Sequence, residues 1–344
     1  MNKSIFTSRR YIAILVALLI GVVAMVVGNK RKHYITDAGV VWTTEYHITY
    51  EARHSLSDSI IAIFNAIDMS ASPYNEKSLV ARINNNATSV VDSLFAKLYN
   101  ASLYINKESG GAFDPTVMPL VNAWGFGYKS GSLPTQATLD SLLSFTGINK
   151  TRLEGDSVIK SDNRIKFDFS SIAKGLACDE VAAMLRRNGA ENYVVEIGGE
   201  VVVSGKNARG LPWHVSVDLP ADNDSTVDHS STLLIELNRG AVATSGSYRK
   251  NKTVGGRKVS HIINPLTGQA DVSSLLSVTI IAADCMTADA WATACMVMGL
   301  DKTMQLAQKH PELGVMTISA DDDGNYVVWA NATFTNHVVP AEPS

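Results

Sequence analysis

Two residues four apart, Asp289 and Thr293, offer a carboxylate and a hydroxyl. The apolar run around them predicts a helix over Met286–Met298, so both side chains lie on one face. These are hard oxygen donors of the kind that suit Mg²⁺. By spacing alone the pair reads equally as a first-turn acid with a threonine that simply packs. Asp168 and Lys174 flank the predicted start of another helix, in Asp168-Phe169-Ser170-Ser171-Ile172-Ala173-Lys174-Gly175. An acid there caps the helix. A lysine one turn inside, beside the helix N-terminus, can neutralise a diphosphate. His261 closes an apolar strand just before Asn264-Pro265, at a strand end near a loop, where sites tend to lie. Proton acceptor and phosphate donor are both open to it. Gly110-Gly111-Ala112-Phe113-Asp114-Pro115-Thr116 lets backbone approach a flat ligand, and it serves equally as a helix stop followed by core packing and an Asp-Pro turn.

These residues need a frame. Strand patterns cover Gly39 to Glu51, Arg164 to Phe169, Tyr193–Ile197, Glu200–Ser204, Trp213–Asp218, Thr232–Glu236, Val259–Ile263, Leu276–Ala282, Val315–Ile318 and Tyr326–Trp329. Helical spacing covers Ser55–Asp68, Val90–Lys107, Gln136–Phe145, Ser171–Asn188, Met286–Met298 and Lys302–His310. Ser170 reads as an N-cap and Gly189 as a C′ residue. Asp222–Ser231 reads as a polar hairpin tip. The elements come in runs rather than strict alternation, and no early Gly-x-Gly-x-x-Gly unit is present. The fold class is therefore α+β with antiparallel sheets, not a Rossmann fold.

The chain has 344 residues, a formal net charge of −3, 46% apolar and 18% charged residues. This near-neutral balance carries no basic footprint for nucleic acid. Tyr11 to Gly28 runs without a charge, between Lys3, Arg9 and Arg10 on one side and Lys30, Arg31 and Lys32 on the other. Its length is at the lower end for a membrane-spanning helix. Its end, Ala24-Met25-Val26-Val27-Gly28, lacks a small-x-small cleavage pattern, which favours an uncleaved signal anchor. The expected organisation is a cytoplasmic tail over 1–10, a transmembrane anchor over 11–28, a linker over 29–38, one domain over 39–332 and a loose tail over 333–344. Cys178, Cys285 and Cys295 show no metal-binding or redox spacing and read as buried free thiols. One disulfide is open to them if the domain is exported.

The ordered blocks Gly110 to Thr116 with Trp124-Gly125-Phe126-Gly127, Asp168 to Gly175, Ile197-Gly198-Gly199-Glu200, Ala243-Thr244-Ser245-Gly246, His261 to Gly268 and Ala288 to Ala294 resemble the ApbE family of FAD:protein FMN transferases. The resemblance runs from about Gly39 to about Gly314. It implies a T-fold-like arrangement of antiparallel sheets with packed helices, here preceded by one N-terminal transmembrane helix. It implies Mg²⁺ held by Asp289, Thr293 and the Ser171 carbonyl. FAD, as substrate, is implied to meet Trp42, Tyr74, Ala112, Phe113, Asp114, Asp168, Lys174, Ile263 and Ala292, with His261 near the phosphates. Tyr74 resembles the family's aromatic that covers the isoalloxazine. Where the family often reads Met-Gly-Thr, this chain reads Trp42-Thr43-Thr44. The implied activity is transfer of FMN from FAD to an acceptor threonine, with AMP released. Trp42, Tyr74, Phe113 and Trp124 are expected to form a dry wall that keeps water out. The implied acceptors are subunits of sodium-translocating NADH:quinone or Rnf-type redox complexes. The implied location is the bacterial inner membrane, single-pass, with the domain facing the periplasm. Two rivals are an FAD pyrophosphatase and a non-enzymatic flavin-binding protein.

Overall fold

The computed structural model describes residues 33–127, 133–218, 232–246, 251–254, 257–270, 275–321 and 325–340. The first strands are β1 (His33–Val41) and β2 (Thr44–Ala52), followed by helices α1 (Ser57–Ala71), α2 (Leu79–Asn84), α3 (Ser93–Glu108), α4 (Met118–Ala123) and α5 (Gln136–Leu143). Next come β3 (Thr151–Glu154), β4 (Ser157–Lys160), α6 (Ala173–Arg187), β5 (Tyr193–Ile197), β6 (Glu200–Ser204), β7 (Trp213–Asp218) and β8 (Thr232–Leu237). The chain continues through β9 (Arg239–Gly246), β10 (Asn251–Val254), β11 (Arg257–Ser260), β12 (Leu275–Ala282), α7 (Cys285–Met298), α8 (Leu300–Lys309), β13 (Gly314–Ala320), β14 (Tyr326–Ala330) and α9 (Ala332–Thr335).

Eight strands form one sheet in the order β1-β2-β5-β6-β9-β12-β13-β14. Every neighbouring pair is antiparallel. The fold is α+β, as its run-wise patterning implies. Alternation sorts the two faces of the sheet. Ile48 and Tyr50 of β2, Val195 and Ile197 of β5 and Val202 of β6 pack with Phe64 of α1 and Val181 of α6. On the other face Val201, Val203, Val242 and Ile281 meet Trp213, Val215, Val217, Ile235 and Leu237 of the β7–β8 hairpin. That hairpin alternates buried and exposed residues along β7, which makes it a one-sided cover. Each large apolar side chain so buried contributes on the order of 1.5–3 kcal/mol, an upper figure because unfolded chains are partly compact. Beside α6 on the same helical face of the sheet lies α7, whose Ala288, Ala290, Trp291, Ala292 and Ala294 are fully buried in the largest cluster, against Ala243 of β9 and Ile280 of β12.

Several boundaries differ from the sequence expectation. Gly39 to Glu51 is not one strand but part of a tight hairpin, and residues 33–38 of the expected linker are the start of β1. Val41 pairs with Thr44, and Trp42 and Thr43 both have positive φ, 49° and 66°. This is the two-residue hairpin geometry that usually takes Gly or Asn, so the sequence carries no turn signal there. Over the expected strand Arg164 to Phe169, Arg164 lies in a turn and the rest joins no sheet beyond a single bridge from Lys166 to Val117. Asn84 takes the place of a strand partner, bonding Phe167 N–H and C=O at 2.7 and 2.8 Å. The expected strand over Val259–Ile263 ends at Ser260. Of the expected loose tail, residues 333–340 are docked: Phe334 is fully buried and Val339 N–H donates to Leu234 O at 2.9 Å. The expected segments 1–10 and 11–28 and the hairpin tip Asp222–Ser231 lie outside the described residues. Among the described residues no helix is long and apolar enough to cross a membrane.

Candidate functional site

Chemistry-bearing residues gather at one end of the large sheet. The β1–β2 turn, the Gly198-Gly199 turn between β5 and β6, and the end of β9 all lie there by register. Helix α6 starts at this end, and α7 runs back toward it after β12. The two helices meet at Gly175, where a Cβ would fall on the Cys285 carbonyl and within 2.7 Å of Met286 Cα. Only glycine permits this approach. It lets Gly175 N–H donate to Asp289 Oδ2 at 3.0 Å. Asp289 is thereby a buried carboxylate at the N-terminus of α6, where the helix dipole favours an anion. Its Oδ1 takes no hydrogen bond among the described residues.

The start of α7 is fixed independently. Asp284 caps it, accepting from Thr287 N–H at 2.8 Å. Asp179 of α6 accepts from Cys285 N–H at 2.9 Å and Met286 N–H at 2.8 Å. Burial pushes the Asp179 carboxyl up to about 7 against the pull of those two N–H groups, and the Asp284 charge adds to the rise.

Lys174 reaches from the first turn of α6 to an ion pair with Glu200, the first residue of β6. Glu200 is 3% exposed. Lys174, Glu200 and Asp289 form one electrostatic unit. Burial raises both carboxyls and the Lys174 charge lowers both; the Asp289 charge raises Glu200 further, and the Gly175 N–H lowers Asp289. Burial alone lowers the Lys174 ammonium, but Glu200 and Asp289 outweigh it and hold the lysine charged. One turn along α7 from Asp289, the half-buried Thr293 Oγ1 lies 3.2 Å from Ser245 Oγ of β9. Across the strand Thr244 Oγ1 lies 2.9 Å from Thr279 Oγ1 and lines a cleft of about 520 Å³ on the hairpin face, with Thr43, Thr44, Gly198 and Gly199.

A hard cation fits this donor set. Asp289 Oδ1 takes no hydrogen bond from a described residue, and the Thr293 hydroxyl stands on the same helical face. Among the described residues no group of three or more His, Cys, Asp or Glu side chains is placed to hold a metal. An ion here would rest on one carboxylate and neutral oxygens.

A second group lies ahead of α6. Asp168 Oδ1 accepts from Ser170 N–H at 2.9 Å and Ser170 Oγ at 2.6 Å. Ser170 therefore serves this turn and is not the helix cap; Ile172 holds the cap position with no side-chain bond. The exposed Tyr74 stands near enough that the Asp168 charge, after burial, raises its hydroxyl.

Other expected ligand residues are placed differently. Asp114 is consumed by its own loop. Its Oδ1 accepts from Thr116 N–H and Oγ1 at 2.8 and 2.6 Å, and its Oδ2 from Ile148 N–H at 2.9 Å and Asn106 Nδ2 at 3.2 Å. Ala112 and Phe113 are buried, and Phe113 packs in the main core. Ala292 is fully buried there too, and Ile263 sits in a small cluster with Leu120, Trp124 and Leu139. Trp124 Nε1 donates to Gly268 O at 2.7 Å. Trp42 packs edge-on against Phe64 at 5.6 Å. The expected wall of Trp42, Tyr74, Phe113 and Trp124 is not one cluster: Tyr74 is exposed, and the half-buried Trp42 and the buried Phe113 and Trp124 pack with three separate clusters. His261 lies half-buried with its ring 6.5 Å from that of Phe126. Glu200 and Ser245 stand in the family-like blocks of the sequence without an expected role. The polarity of a glutamate opening an otherwise apolar strand was the available signal for Glu200.

The pattern of the ApbE family matches residues 42–317. The FAD:protein FMN transferase of Vibrio cholerae is 33% identical over 317 residues, covering 89% of this chain and 93% of the relative. That of Escherichia coli K12 is 31% identical over 293 residues, covering 83% and 82%. The solved flavin transferase ApbE from Vibrio cholerae superposes with a TM-score of 0.79 at 32% identity, covering 89% of this chain and 99% of that one. The apo flavinyl transferase ApbE of Pseudomonas stutzeri gives 0.80 at 27% identity, covering 89% and 97%.

Proposed function

The chain belongs to the ApbE family, and from that membership we propose how its sheet-end site works. It is an enzyme, a flavin transferase that moves FMN from FAD to a target protein. The diphosphate of FAD is assigned to the N-terminus of α6, where the helix dipole and the Lys174 ammonium attract anionic oxygens. Glu200 holds Lys174 in place through their ion pair. Asp289, Thr293 and the Ser171 carbonyl would hold Mg²⁺. When bound, such an ion neutralises charge on the diphosphate. The acceptor threonine oxygen bonds to the FMN-side phosphorus as the bond to the AMP oxygen breaks. His261 takes the hydroxyl proton, and AMP departs with the bridging oxygen. Tyr74, exposed beside Asp168, is available to lie on the flavin ring.

The observation that carries this reading is Asp289. It is a buried carboxylate, locked by Gly175 and in the field of Lys174 and Glu200, and its Oδ1 takes no hydrogen bond from a described residue. The T-fold-like description of the sheet, an anchor over 11–28 with residues 1–10 in the cytoplasm, a periplasmic catalytic domain, and acceptors in sodium-translocating NADH:quinone or Rnf-type complexes belong to the same proposal. The charge-free run behind Lys3, Arg9 and Arg10 supports the orientation.

The test incubates the full chain with FAD, Mg²⁺ and an acceptor domain. The acceptor should gain the mass of one FMN less water, and lose that gain when its target threonine becomes alanine. AMP should appear slowly without acceptor and much faster with it. Equal AMP release in both, with the acceptor unmodified, establishes an FAD pyrophosphatase instead.

A further inference from the structure

Beneath the charged unit lies a pair of thiols that the transfer chemistry does not use. Cys178 and Cys285 are both fully buried, in the same core cluster, and face one another across the α6–α7 junction. The junction closes from both sides. Gly175 lies on the Cys285 peptide. One turn later on the same helical face, Asp179 binds Cys285 N–H and Met286 N–H. Cys178 sits between these two contacts. Its thiol now donates to Glu200 O at 3.3 Å, so it touches the strand residue that pairs with Lys174. Cys178 lies four residues after Lys174, and Asp289 lies four residues after Cys285, so each thiol sits one turn from a site residue on the same face of its helix.

We propose that Cys178 and Cys285 are a redox pair, and that their disulfide is a covalent clasp fixing α6 against α7 beneath Lys174 and Asp289. The two thiols lose two protons and two electrons as the S–S bond forms. A disulfide oxidant such as oxidised glutathione accepts them and leaves as two thiols. The bond to the Glu200 carbonyl is given up. Such a bond needs the two Cα atoms within about 7 Å, an approach that the absence of a side chain at Gly175 favours. Burial raises both thiols and shields them from exchange once the chain is folded. The clasp is therefore set as the chain folds. The third cysteine is a built-in control: Cys295 lies in the other core cluster.

The full chain is unfolded and refolded in buffers spanning oxidised to reduced glutathione, quenched in acid, alkylated under denaturing conditions and digested without reductant. The oxidised samples should yield a peptide linking positions 178 and 285, with Cys295 alkylated throughout. Oxidised protein should melt several degrees above reduced protein, as expected for a closed loop of this length. That gain should vanish in Cys178→Ala and in Cys285→Ala alike. If a variant fails to fold, the linked peptide from the parent chain decides alone. Three alkylated cysteines at every ratio, a linkage that includes Cys295, or glutathione adducts in place of the link would overturn the proposal.

Discussion

Asp289 and Asp114 both stand in motifs that read as ligand-binding, and the fold treats them in opposite ways. Asp114 spends both oxygens on four protein donors and organises the loop that joins α3 to α4. Asp289 spends one oxygen on Gly175 N–H and shares its field with Lys174 and Glu200. The first is a satisfied carboxylate whose loss is a stability event. The second is buried, and its Oδ1 takes no hydrogen bond from a described residue. The difference supports the proposed placement of the chemistry at the α6–α7 junction rather than in the glycine-led loop.

The largest effect is expected at the ion pair. Lys174→Met leaves Glu200 buried without its cation and should cost about 3–5 kcal/mol of stability, somewhat less because Lys174 is part-exposed. Adding Glu200→Met should restore much of the denaturation midpoint and none of the transferase activity. If the double variant is as unstable as the single, Glu200 is not held by that charge.

Next is the pH dependence of the junction. The folded Asp179 pKa, about 7, lies above its ordinary value, so the folded chain holds this proton more tightly than the unfolded chain does. Its stability contribution is fully present below about pH 4 and is lost as pH rises to about 7. Asp179→Asn lacks this titration. The parent should lose a few kcal/mol relative to Asp179→Asn between pH 4.5 and 7.5, measured by urea unfolding. Parallel curves for the two proteins would show that the helix N–H groups already hold Asp179 ionised.

A smaller effect is expected at Gly175. An alanine Cβ meets the Cys285 backbone rather than a flexible side chain, so α6 and α7 must separate. The cost should be about 1–3 kcal/mol, with activity falling further than stability because the Asp289 hydrogen bond lengthens. Unchanged activity per folded molecule would detach Asp289 from that approach.

Much of this fold was legible from alternation alone. The pattern places β5, β6 and β7 at their observed ends because each packs one or both faces in a fixed register. The first hairpin was not legible, because Trp42 and Thr43 adopt positive φ without the residues that announce it. The segment 164–169 looked like a strand because a side chain, Asn84, stands in for its backbone partner. At the site, the four-residue spacing of Asp289 and Thr293 and the place of Lys174 before an apolar helix were readable. The partners Glu200 and Ser245 were not assigned, since pairing between β6, β9 and two distant helices exists only in the fold. The aromatic residues misled for the same reason. Ring type is written in the sequence, but which of three clusters buries it is not.

The central claim is tested most directly by the initial rate of FMN attachment to an acceptor domain, read by intact mass and normalised to folded protein from circular dichroism. Asp289→Ala should fold and lose roughly a thousandfold or more in rate, the loss of several kcal/mol of transition-state stabilisation. Asp114→Asn should lose about 1–3 kcal/mol of stability and transfer FMN at the parent rate per folded molecule. A near-parental rate for Asp289→Ala, together with a dead but well-folded Asp114→Asn, would move the chemistry to the glycine-led loop and contradict the account.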